Sequence, residues 1–397
     1  MRIKLLFLIT LSASTSFAQW NNLSSGTLNW LRGVWFTHVD TGFAIGYNGT
    51  ILKTTDGGLS WNLQTSNLTN NLQGIFFINS LTGWVVGDSG TILKTSNGGL
   101  NWIKQTSTTT AILHKPFFVD PNNGYIAGEG GTCLKTVNGG LTWSNLTVTT
   151  GNGKVSLFFN NLNVGYVSGL GFSDAIIKTT NGGSTWANIY TNNIEEFSSI
   201  YFTSLNDGFA VSSSTGKITS THNAGFSWNT QSFGASSLYS VQFPSALIGY
   251  AVGGYPSNGT ILSTTNSGSN WSPQNSNTSQ PLFDVFFVNN SIGYAVGKNG
   301  TIIKTINAGV GIKEYVTDNS FSIYPNPATT ELNFELSFNK EDNFSTLEIY
   351  DISGKNVYID EMKRNAITLN TTGYNSGIYT AVIRGNGILI RKNFVIN

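Results

Sequence analysis

Side chains that could take part in acid–base, nucleophilic or metal chemistry are scarce in this chain. Its 397 residues include 20 Asp and Glu, 21 Lys and Arg, three His and one Cys. Charged residues make up 10% of the sequence, against about 25% in an ordinary globular domain. The net charge of +1 and the lack of a Lys/Arg run do not indicate nucleic-acid binding. Asn, Ser, Thr and Gly must therefore supply most of the polar surface.

The most regular acidic position belongs to a repeated phrase. Residues 53–61 have the sequence KTTDGGLSW, and related phrases return with a period of 41 to 44 residues. The first copy carries Asp56, whereas the later copies carry Asn, which cannot act in acid–base catalysis. Asp or Asn before Gly suits a tight turn in which the side chain accepts backbone N–H groups, so we expect the phrases to be structural. Their key residues are Asp56 with Trp61, Asn97 with Trp102, Asn138 with Trp143, Asn181 with Trp186, Asn223 with Trp228, Asn266 with Trp271, and Asn307 without a tryptophan.

Three other candidates for chemistry do not fit a catalytic role when the copies are aligned. Residues 87–90 (GDSG) resemble the serine segment of a trypsin-like protease, but they occupy the same strand connection as other glycine-rich turns. Cys133 aligns with isoleucines, so we expect it in the core. His38, His114 and His222 fall at three different places in the repeat, without the spacing of metal ligands. We therefore expect no metal site and no cofactor.

Each copy of the repeat predicts four short strands. In the second copy these strands are Leu72–Ile78, Gly83–Gly87, Thr91–Thr95 and Trp102–Gln105. Adjacent apolar residues, as in the run IFF at 75–77, indicate strands that are buried on both faces. Four-stranded sheets repeated at this interval are typical of the blades of a β-propeller. An open β-solenoid is the alternative, although its repeats are usually shorter.

The missing tryptophan of the last copy indicates how the ring closes. Ile312 stands where the last tryptophan is expected, and one period before Trp61 lies Trp20. We expect the segment at Trp20 to supply the outer strand of the seventh sheet, which leaves no open edge strand. The predicted fold is therefore all-β: a seven-bladed β-propeller over residues 19–312, closed by N-terminal strand exchange and followed by a small Ig-like β-sandwich.

Positions that differ between copies are candidates for ligand contacts, because the shared positions build the frame. The second residue of each predicted inner strand should face one mouth of the central channel, together with the connections after the second strand. Aromatic and mixed polar side chains there suit a peptide or a neutral glycan. Alternatively, these residues belong to loops that merely vary. The candidates are Arg32, Gln73, His114, Tyr239, Phe283, Asp284, Asp88, Glu129, Asp174 and Lys298.

The phrases resemble the Asp-box, or bacterial neuraminidase, repeat, and the complete unit is similar to that of the photosystem II assembly-factor-like propellers. The second resemblance covers nearly all of residues 20–311 and rests on the G-aromatic-x-x-G and GTILKT segments. It implies a protein partner and no catalytic centre. Sialidases hold their substrate with three arginines, whereas residues 20–311 contain only Arg32, and lysine does not reproduce its forked contacts. A sialidase is therefore excluded.

These observations predict an exported, non-catalytic recognition module that binds protein or glycan. The alternative is a glycoside hydrolase that acts on extracellular polysaccharide, since another Asp-box family cleaves xyloglucan in the cleft between two propellers. Hydrolysis of this kind needs two carboxylates at a defined separation. The acids that we expect on the mouth side are Asp88, Glu129, Asp174 and Asp284.

The start of the chain predicts export. Arg2 and Lys4 precede an apolar run at 5–11, and small residues lead up to Ala18 and Gln19. Residues 1–18 therefore have the pattern of a secretory signal peptide that is cut between those two residues. No later run approaches the 18 apolar residues that a membrane span requires.

The end of the chain predicts the route of export. After an expected linker at 313–320, residues 321–397 contain the segments SIYPNPATTELNF, LEIYDISGKNVY and NSGIYTAVI. Together these segments resemble the type A sorting domain of the type IX secretion system of Bacteroidota. The residues that match are Tyr324, Pro325, Asn326, Pro327, Asp351, Gly354, Gly377 and Tyr379. The resemblance implies that the translocon recognises this tail after the chain has entered the periplasm, and that the propeller is then released or attached to the surface. The alternative is an accessory β-domain that binds the ligand itself.

Overall fold

The chain forms two compact units, one ending at Gly309 and the other running from Val310 to Asn397. The computed structural model describes residues 20–146, 148, 153–169, 176–191, 195–256, 258–308, 313–314, 321–336, 344–351, 355–361, 366–385 and 388–397. The predicted signal peptide and its expected cut between Ala18 and Gln19 lie outside the described residues, as do Asp174 and Gly354.

The described part of the first unit consists of short β-strands and one 3-10 turn at Lys298–Gly300. The strands of its first half are β1 (Asn21–Leu23), β2 (Leu31–Phe36), β3 (Gly42–Gly46), β4 (Ile51–Thr54), β5 (Asn62–Leu63), β6 (Leu72–Phe77), β7 (Gly83–Gly87), β8 (Thr91–Thr95), β9 (Ile103–Gln105), β10 (Leu113–Phe118), β11 (Gly124–Gly128), β12 (Cys133–Thr136) and β13 (Ser144–Asn145). Those of its second half are β14 (Lys154–Phe159), β15 (Gly165–Gly169), β16 (Ile176–Thr179), β17 (Ala187–Tyr190), β18 (Phe197–Phe202), β19 (Gly208–Ser212), β20 (Lys217–Thr221), β21 (Asn229–Ser232), β22 (Leu238–Gln242), β23 (Gly249–Gly253), β24 (Thr260–Thr264), β25 (Ser272–Gln274), β26 (Leu282–Phe287), β27 (Gly293–Gly297) and β28 (Ile302–Thr305).

These strands pair into seven antiparallel four-stranded sheets. Six of the sheets use four consecutive strands, starting from β2, β6, β10, β14, β18 and β22, and the seventh has the order β1-β28-β27-β26. The first strand of each run is the inner one, and it packs beside the inner strands of the two neighbouring sheets. Because β26 also packs beside β2, the sheets form a closed ring. The unit is an all-β propeller, as the repeat predicts.

A glycine–aromatic pair and a tryptophan build each contact between sheets. A Cβ atom on Gly83 would lie 2.6 Å from the ring of Phe77, so only glycine lets that ring cross the second strand. Phe77 in turn stacks on Phe43 of the preceding sheet, with ring centroids 4.7 Å apart, and Trp102 meets both rings edge-to-face. The same edge-to-face contact, at interplanar angles of 83–89°, joins the tryptophan and the phenylalanine of every sheet.

The Asp-box phrases fold into tight turns. The Thr54 hydroxyl donates to Asp56 Oδ1 at 2.7 Å and accepts the Gly58 N–H at 2.8 Å, while Asp56 Oδ1 accepts the Ser60 N–H at 2.9 Å. Asparagine side-chain oxygens accept the corresponding N–H in the next copies. Their residues are Asn97, Asn138, Asn181, Asn223 and Asn266, and Asn307 accepts the hydroxyl of Thr305. Among the tryptophans, Trp61, Trp102, Trp143 and Trp271 are buried, whereas Trp186 and Trp228 are half-buried.

The hydrogen bonds of Asp56 give a pH-dependent prediction. The Ser60 hydroxyl is the main cause that lowers the pKa of Asp56 to about 2, so the ionised form contributes stability above its ordinary pKa near 4. That contribution should be lost as the pH falls through about 2. The substitution Asp56→Asn introduces the residue that the other copies carry, and its side chain does not titrate. We expect the difference in thermal midpoint between wild type and D56N to shrink between pH 4 and pH 2. A difference that stays constant from pH 7 to pH 2 would contradict this assignment.

The N-terminal segment completes the seventh sheet. Strand β1 pairs with β28 in the register Asn21–Lys304, Asn22–Ile303 and Leu23–Ile302. The Trp20 side chain is 0% exposed. Its ring meets Phe287 of the same sheet and Tyr250 of the sheet before it, both edge-to-face. Trp20 thus takes the place that Trp61 has in the first sheet.

The C-terminal unit contains two sheets around one apolar core. Its strands are β29 (Lys313–Glu314), β30 (Phe321–Tyr324), β31 (Glu331–Leu336), β32 (Phe344–Asp351), β33 (Asn356–Glu361), β34 (Ala366–Asn370), β35 (Gly377–Gly385) and β36 (Ile388–Ile396). One sheet has the order β29-β36-β35-β32-β33 and the other β30-β31-β34. Phe334 and Phe394 meet in the core between them. Of the expected linker, Lys313–Glu314 pair with β36 and so form part of this unit.

The predicted sorting residues hold the last strand and two turns of that unit. Asn326 Oδ1 accepts the Val395 N–H at 2.9 Å, beside Pro325 and Pro327 in the same segment. The Tyr324 hydroxyl donates to Glu335, and the buried Tyr379 hydroxyl donates to the Asn375 carbonyl. Asp351 accepts the Lys355 N–H, and Gly377 begins β35.

Candidate binding site at the channel mouth

A bulge in every inner strand turns its second residue toward one end of the channel. In β2 the pairing with β3 shifts between Leu31 and Gly33, so Arg32 is the extra residue, and the other inner strands have the same shift. Bulges re-aim side chains in this way. A cavity of about 180 Å³ results. The predicted residues that line it are Arg32, Gln73, His114, Tyr239, Phe283 and Asp284.

Arg32 places a positive charge in this mouth. Its Nε donates to Gln73 Oε1 at 3.2 Å, and its guanidinium carbon lies 4.5 Å from the ring centroid of Phe283. Burial lowers the pKa of Arg32, and the charges of Asp284 and Asp88 are among the groups that oppose this. A guanidinium nevertheless stays protonated in proteins. The mouth therefore presents a fixed planar cation, which suits recognition of a carboxylate or a carbonyl group.

An aromatic row runs beside Arg32 across three sheets. Tyr47 stacks on Trp30 with centroids 5.4 Å apart, Trp30 stacks on Phe283 at 5.6 Å, and Tyr239 meets Phe283 edge-to-face at 5.5 Å. The predicted Lys298 places its Nζ 5.3 Å from the ring centroid of Trp30. Rigid aromatic surface with nearby cations is typical of peptide recognition sites. Sequence comparison missed Trp30, which lies in the connection before β2 rather than in a repeated segment.

The predicted acids of the mouth already hold polar neighbours. Asp88 accepts the side-chain amides of Asn71 and Gln73, each at 2.9 Å. Asp284 accepts the Val34 N–H of the next sheet at 3.1 Å and the Ser240 hydroxyl of the previous sheet at 2.7 Å. Both carboxylates therefore position other groups.

Glu129 and His114 lie side by side at the mouth. His114 Nε2 lies 3.4 Å from Glu129 Oε1. Burial lowers the pKa of His114, which Glu129 opposes, so the imidazole is neutral near pH 7. The part of the chain that has been described contains no group of three or more side chains able to bind a metal ion.

The structure brings most of the predicted residues into one neighbourhood. Asp88 accepts a hydrogen bond from Gln73, and Glu129 lies beside His114; both of these partners line the cavity. Lys298 lies over Trp30, which stacks on Phe283 of the cavity. Asp174 lies outside the described residues.

A second cavity of about 210 Å³ adjoins the mouth. The fifth residue of each of the seven inner strands lines it; this residue is Gln242 in β22 and aromatic in the other six strands, and we call these six residues the aromatic collar. Neighbouring rings of the collar from Phe286 through to Tyr201 lie 4.7–5.5 Å apart. The collar consists of Trp35, Phe76, Phe117, Phe158, Tyr201 and Phe286. Lys115 lines both cavities. The run of adjacent aromatic residues in the sequence could have revealed the collar.

Comparison with family models gives two matches. Residues 12–110 and 105–237, which together span more than half of the chain, match the photosynthesis system II assembly factor YCF48. Residues 322–397 match the secretion system C-terminal sorting domain. No curated protein matches the chain. Within the described residues, no helix has the length and apolar composition that crossing a membrane requires.

Solved structures with the same fold include both binders and enzymes. YCF48 bound to D1 peptide is 17% identical, with a TM-score of 0.61 over 72% of this chain and 97% of that one. YCF48 from Cyanidioschyzon merolae is 18% identical, with a TM-score of 0.60 over 72% of this chain and 98% of that one. The GH74 enzyme from Niastella koreensis is 14% identical, with a TM-score of 0.60 over 92% of this chain and 60% of that one. At these identities the likeness shows the fold alone.

Proposed function

The chain belongs to the family of the photosynthesis system II assembly factor YCF48, and from this premise we propose that it is an exported, non-catalytic recognition module that binds an extracellular peptide at the channel mouth. The sorting domain at 322–397 marks the chain for type IX export to the cell surface or the medium. A family and a fold do not name a partner, so the photosynthetic role does not follow. The peptide ligand is suggested by the relative that was solved with one.

The observation that supports the proposal most is the composition of the mouth. The Arg32 guanidinium lies over Phe283 within a row of aromatic rings, Asp88 and Asp284 accept hydrogen bonds, and Glu129 lies beside the His114 imidazole. Such a surface offers a cation, rigid apolar area and amide groups. These groups suit the backbone and side chains of an extended peptide.

A triple substitution tests this site. We expect the full chain to bind some of the peptides on a peptide array. This binding should be abolished in the triple variant Arg32→Ala, His114→Ala, Tyr239→Ala. The thermal midpoint should stay close to wild type, because none of the three side chains belongs to a core cluster. A matched control replaces three exposed residues of outer strands, Asn62, Lys104 and Gln231, by alanine. Binding that survives the mouth substitutions as it survives the control would rule out this face.

Glycoside hydrolysis is the second candidate, because the fold is shared with the GH74 enzyme from Niastella koreensis. It requires a carboxylic acid and a carboxylate that flank the scissile bond, and Asp88, Glu129 and Asp284 are the predicted acids of the mouth that the structure describes. Incubation with xyloglucan and other extracellular polysaccharides, followed by measurement of new reducing ends, separates the two functions. If the wild type cleaves a polysaccharide and the double variant Asp88→Asn, Glu129→Gln does not, the result would favour the hydrolase and contradict the recognition module.

The final location of the propeller is also part of the proposal. We expect the signal peptide to direct the chain to the periplasm and the type IX translocon to be its partner through the C-terminal unit. Removal of that unit then leaves the propeller released or attached to surface polysaccharide.

A further inference from the structure

In three of the seven inner strands, the side chain of the third residue accepts a backbone N–H group of the next sheet. The Ser156 hydroxyl accepts the Ile200 N–H at 3.2 Å, the Ser199 hydroxyl accepts the Val241 N–H at 3.3 Å, and Asp284 accepts the Val34 N–H. These oxygens satisfy backbone donors that face the channel. Their role as acceptors is structural.

Lys115 occupies the same position in β10 and cannot make this link. An ammonium group has three donors and no acceptor, so it cannot receive a backbone N–H. Among the described residues Lys115 Nζ forms no ion pair or hydrogen bond. The two neighbouring sheets have Gly74 and Ser156 at this position, and both residues line the mouth cavity together with Lys115. Lys115 is therefore a cation in the channel that the fold does not use.

Lys115 stands where the polar mouth meets the aromatic collar, because it lines both cavities. The channel thus offers two surfaces in sequence: a cation with three free donors, and beyond it the six aromatic side chains of the collar, with Gln242 at the seventh position. A charge-assisted contact is strongest where water is partly excluded. Asp284, the described acid that also lines both cavities, already accepts two hydrogen bonds and lies near the charge of Arg32.

We propose that the channel binds the carboxyl-terminal residue of a peptide, with its apolar side chain inside the aromatic collar and its carboxylate on Lys115. This inference rests on the proposed peptide-binding function and specifies which part of a peptide is recognised. The chain end fits better than an internal segment, because it supplies a carboxylate next to a side chain. The rest of the peptide leaves through the mouth, past Arg32 and the aromatic row.

The experiment uses pools of acetylated hexapeptides that are randomised at the first five positions and end in Phe, Leu or Ser. Each pool is made both as the free acid and as the carboxamide, and binding to the full chain is measured. We expect the free acids ending in Phe or Leu to bind at least about tenfold more tightly than their amides. They should also bind about tenfold more tightly than the free acid ending in Ser.

Two lysine variants assign the carboxylate contact. Lys115→Met keeps the length of the side chain and removes its charge, so it should abolish the preference for the acid while binding the amide as before. Lys104→Met changes an exposed lysine of an outer strand and should leave the preference intact. The thermal midpoint of each variant verifies its fold.

The outcomes separate this inference from the function on which it rests. Equal binding of acid and amide, or an acid preference that persists in K115M, overturns the role of the chain end. If peptides bind in this way and the substitutions at Arg32, His114 and Tyr239 abolish their binding, the mouth is still supported as a peptide-binding site, but recognition of the chain end is not. If no peptide pool binds, both proposals fail.

Discussion

Replacing Trp20 by alanine is expected to lower the free energy of unfolding of the propeller by about 3–5 kcal/mol, as is typical when a buried tryptophan is removed from a core. The Trp20 ring is fully buried between Phe287 and Tyr250, with centroids 5.7 and 6.4 Å away. Its Nε1 donates to Gln274 Oε1 at 2.9 Å, a hydrogen bond to the preceding sheet that would also be lost. Urea unfolding of wild type and variant, followed by intrinsic fluorescence, measures the change.

The matched control is Trp61→Ala. Trp61 makes the same edge-to-face contact with the phenylalanine of its own sheet. Strand β5, which follows Trp61, pairs with β4, the strand just before it in the chain, whereas β1 pairs with a strand from the other end of the propeller. Both variants should lose comparable stability. Only the Trp20 variant should weaken the pairing of β1 with β28. The rate of amide hydrogen exchange at Ile302 and Lys304 should therefore rise in that variant alone. A Trp20 variant with a wild-type unfolding midpoint would show that the N-terminal strand does not hold the ring together.

The sequence was sufficient to predict the elements that are spaced by the repeat. The position of Trp20 follows from counting one period back from Trp61, and the structure places its ring in the corresponding contact. The turn role of Asp56 follows from the same phrase in other copies, where Asn makes the equivalent hydrogen bond. Periodicity works here because every sheet buries the same faces against its neighbours, so one set of local requirements recurs.

The channel could be predicted only in part. The choice of the second inner-strand residue as channel-facing agrees with the placement of Arg32 and Tyr239 in one cavity. The bulge after the first residue was not predicted, and it lets the third residue line the channel as well. Lys115 was therefore overlooked. The run at 75–77 predicts only that its strand is buried on both faces, and the structure adds that the Phe76 ring borders the channel.

A second large effect is expected at the other end of the chain. Deleting residues 320–397 should abolish delivery to the cell surface or the medium and leave the propeller in the periplasm. The deletion removes the segment that matches the sorting domain. The core of the C-terminal unit, which includes Phe334 and Phe394, is a separate cluster from those of the propeller sheets. Removing it therefore leaves every contact between propeller sheets in place, so loss of export would not reflect misfolding.

Cell fractionation with an antibody against the propeller measures this outcome, and surface protease treatment distinguishes exposed from periplasmic protein. The control joins residues 313–397 to an unrelated periplasmic protein, which should then reach the surface, because recognition by the translocon is expected to need only the C-terminal unit. Asn326→Ala provides a finer variant, since it removes one of the hydrogen bonds that tie the YPNPA segment to β36, while the bond from the Ala328 N–H to the Val395 carbonyl remains. Its export should fall between those of wild type and the deletion. Normal surface display of the deletion variant would refute the assignment of the tail as the export signal.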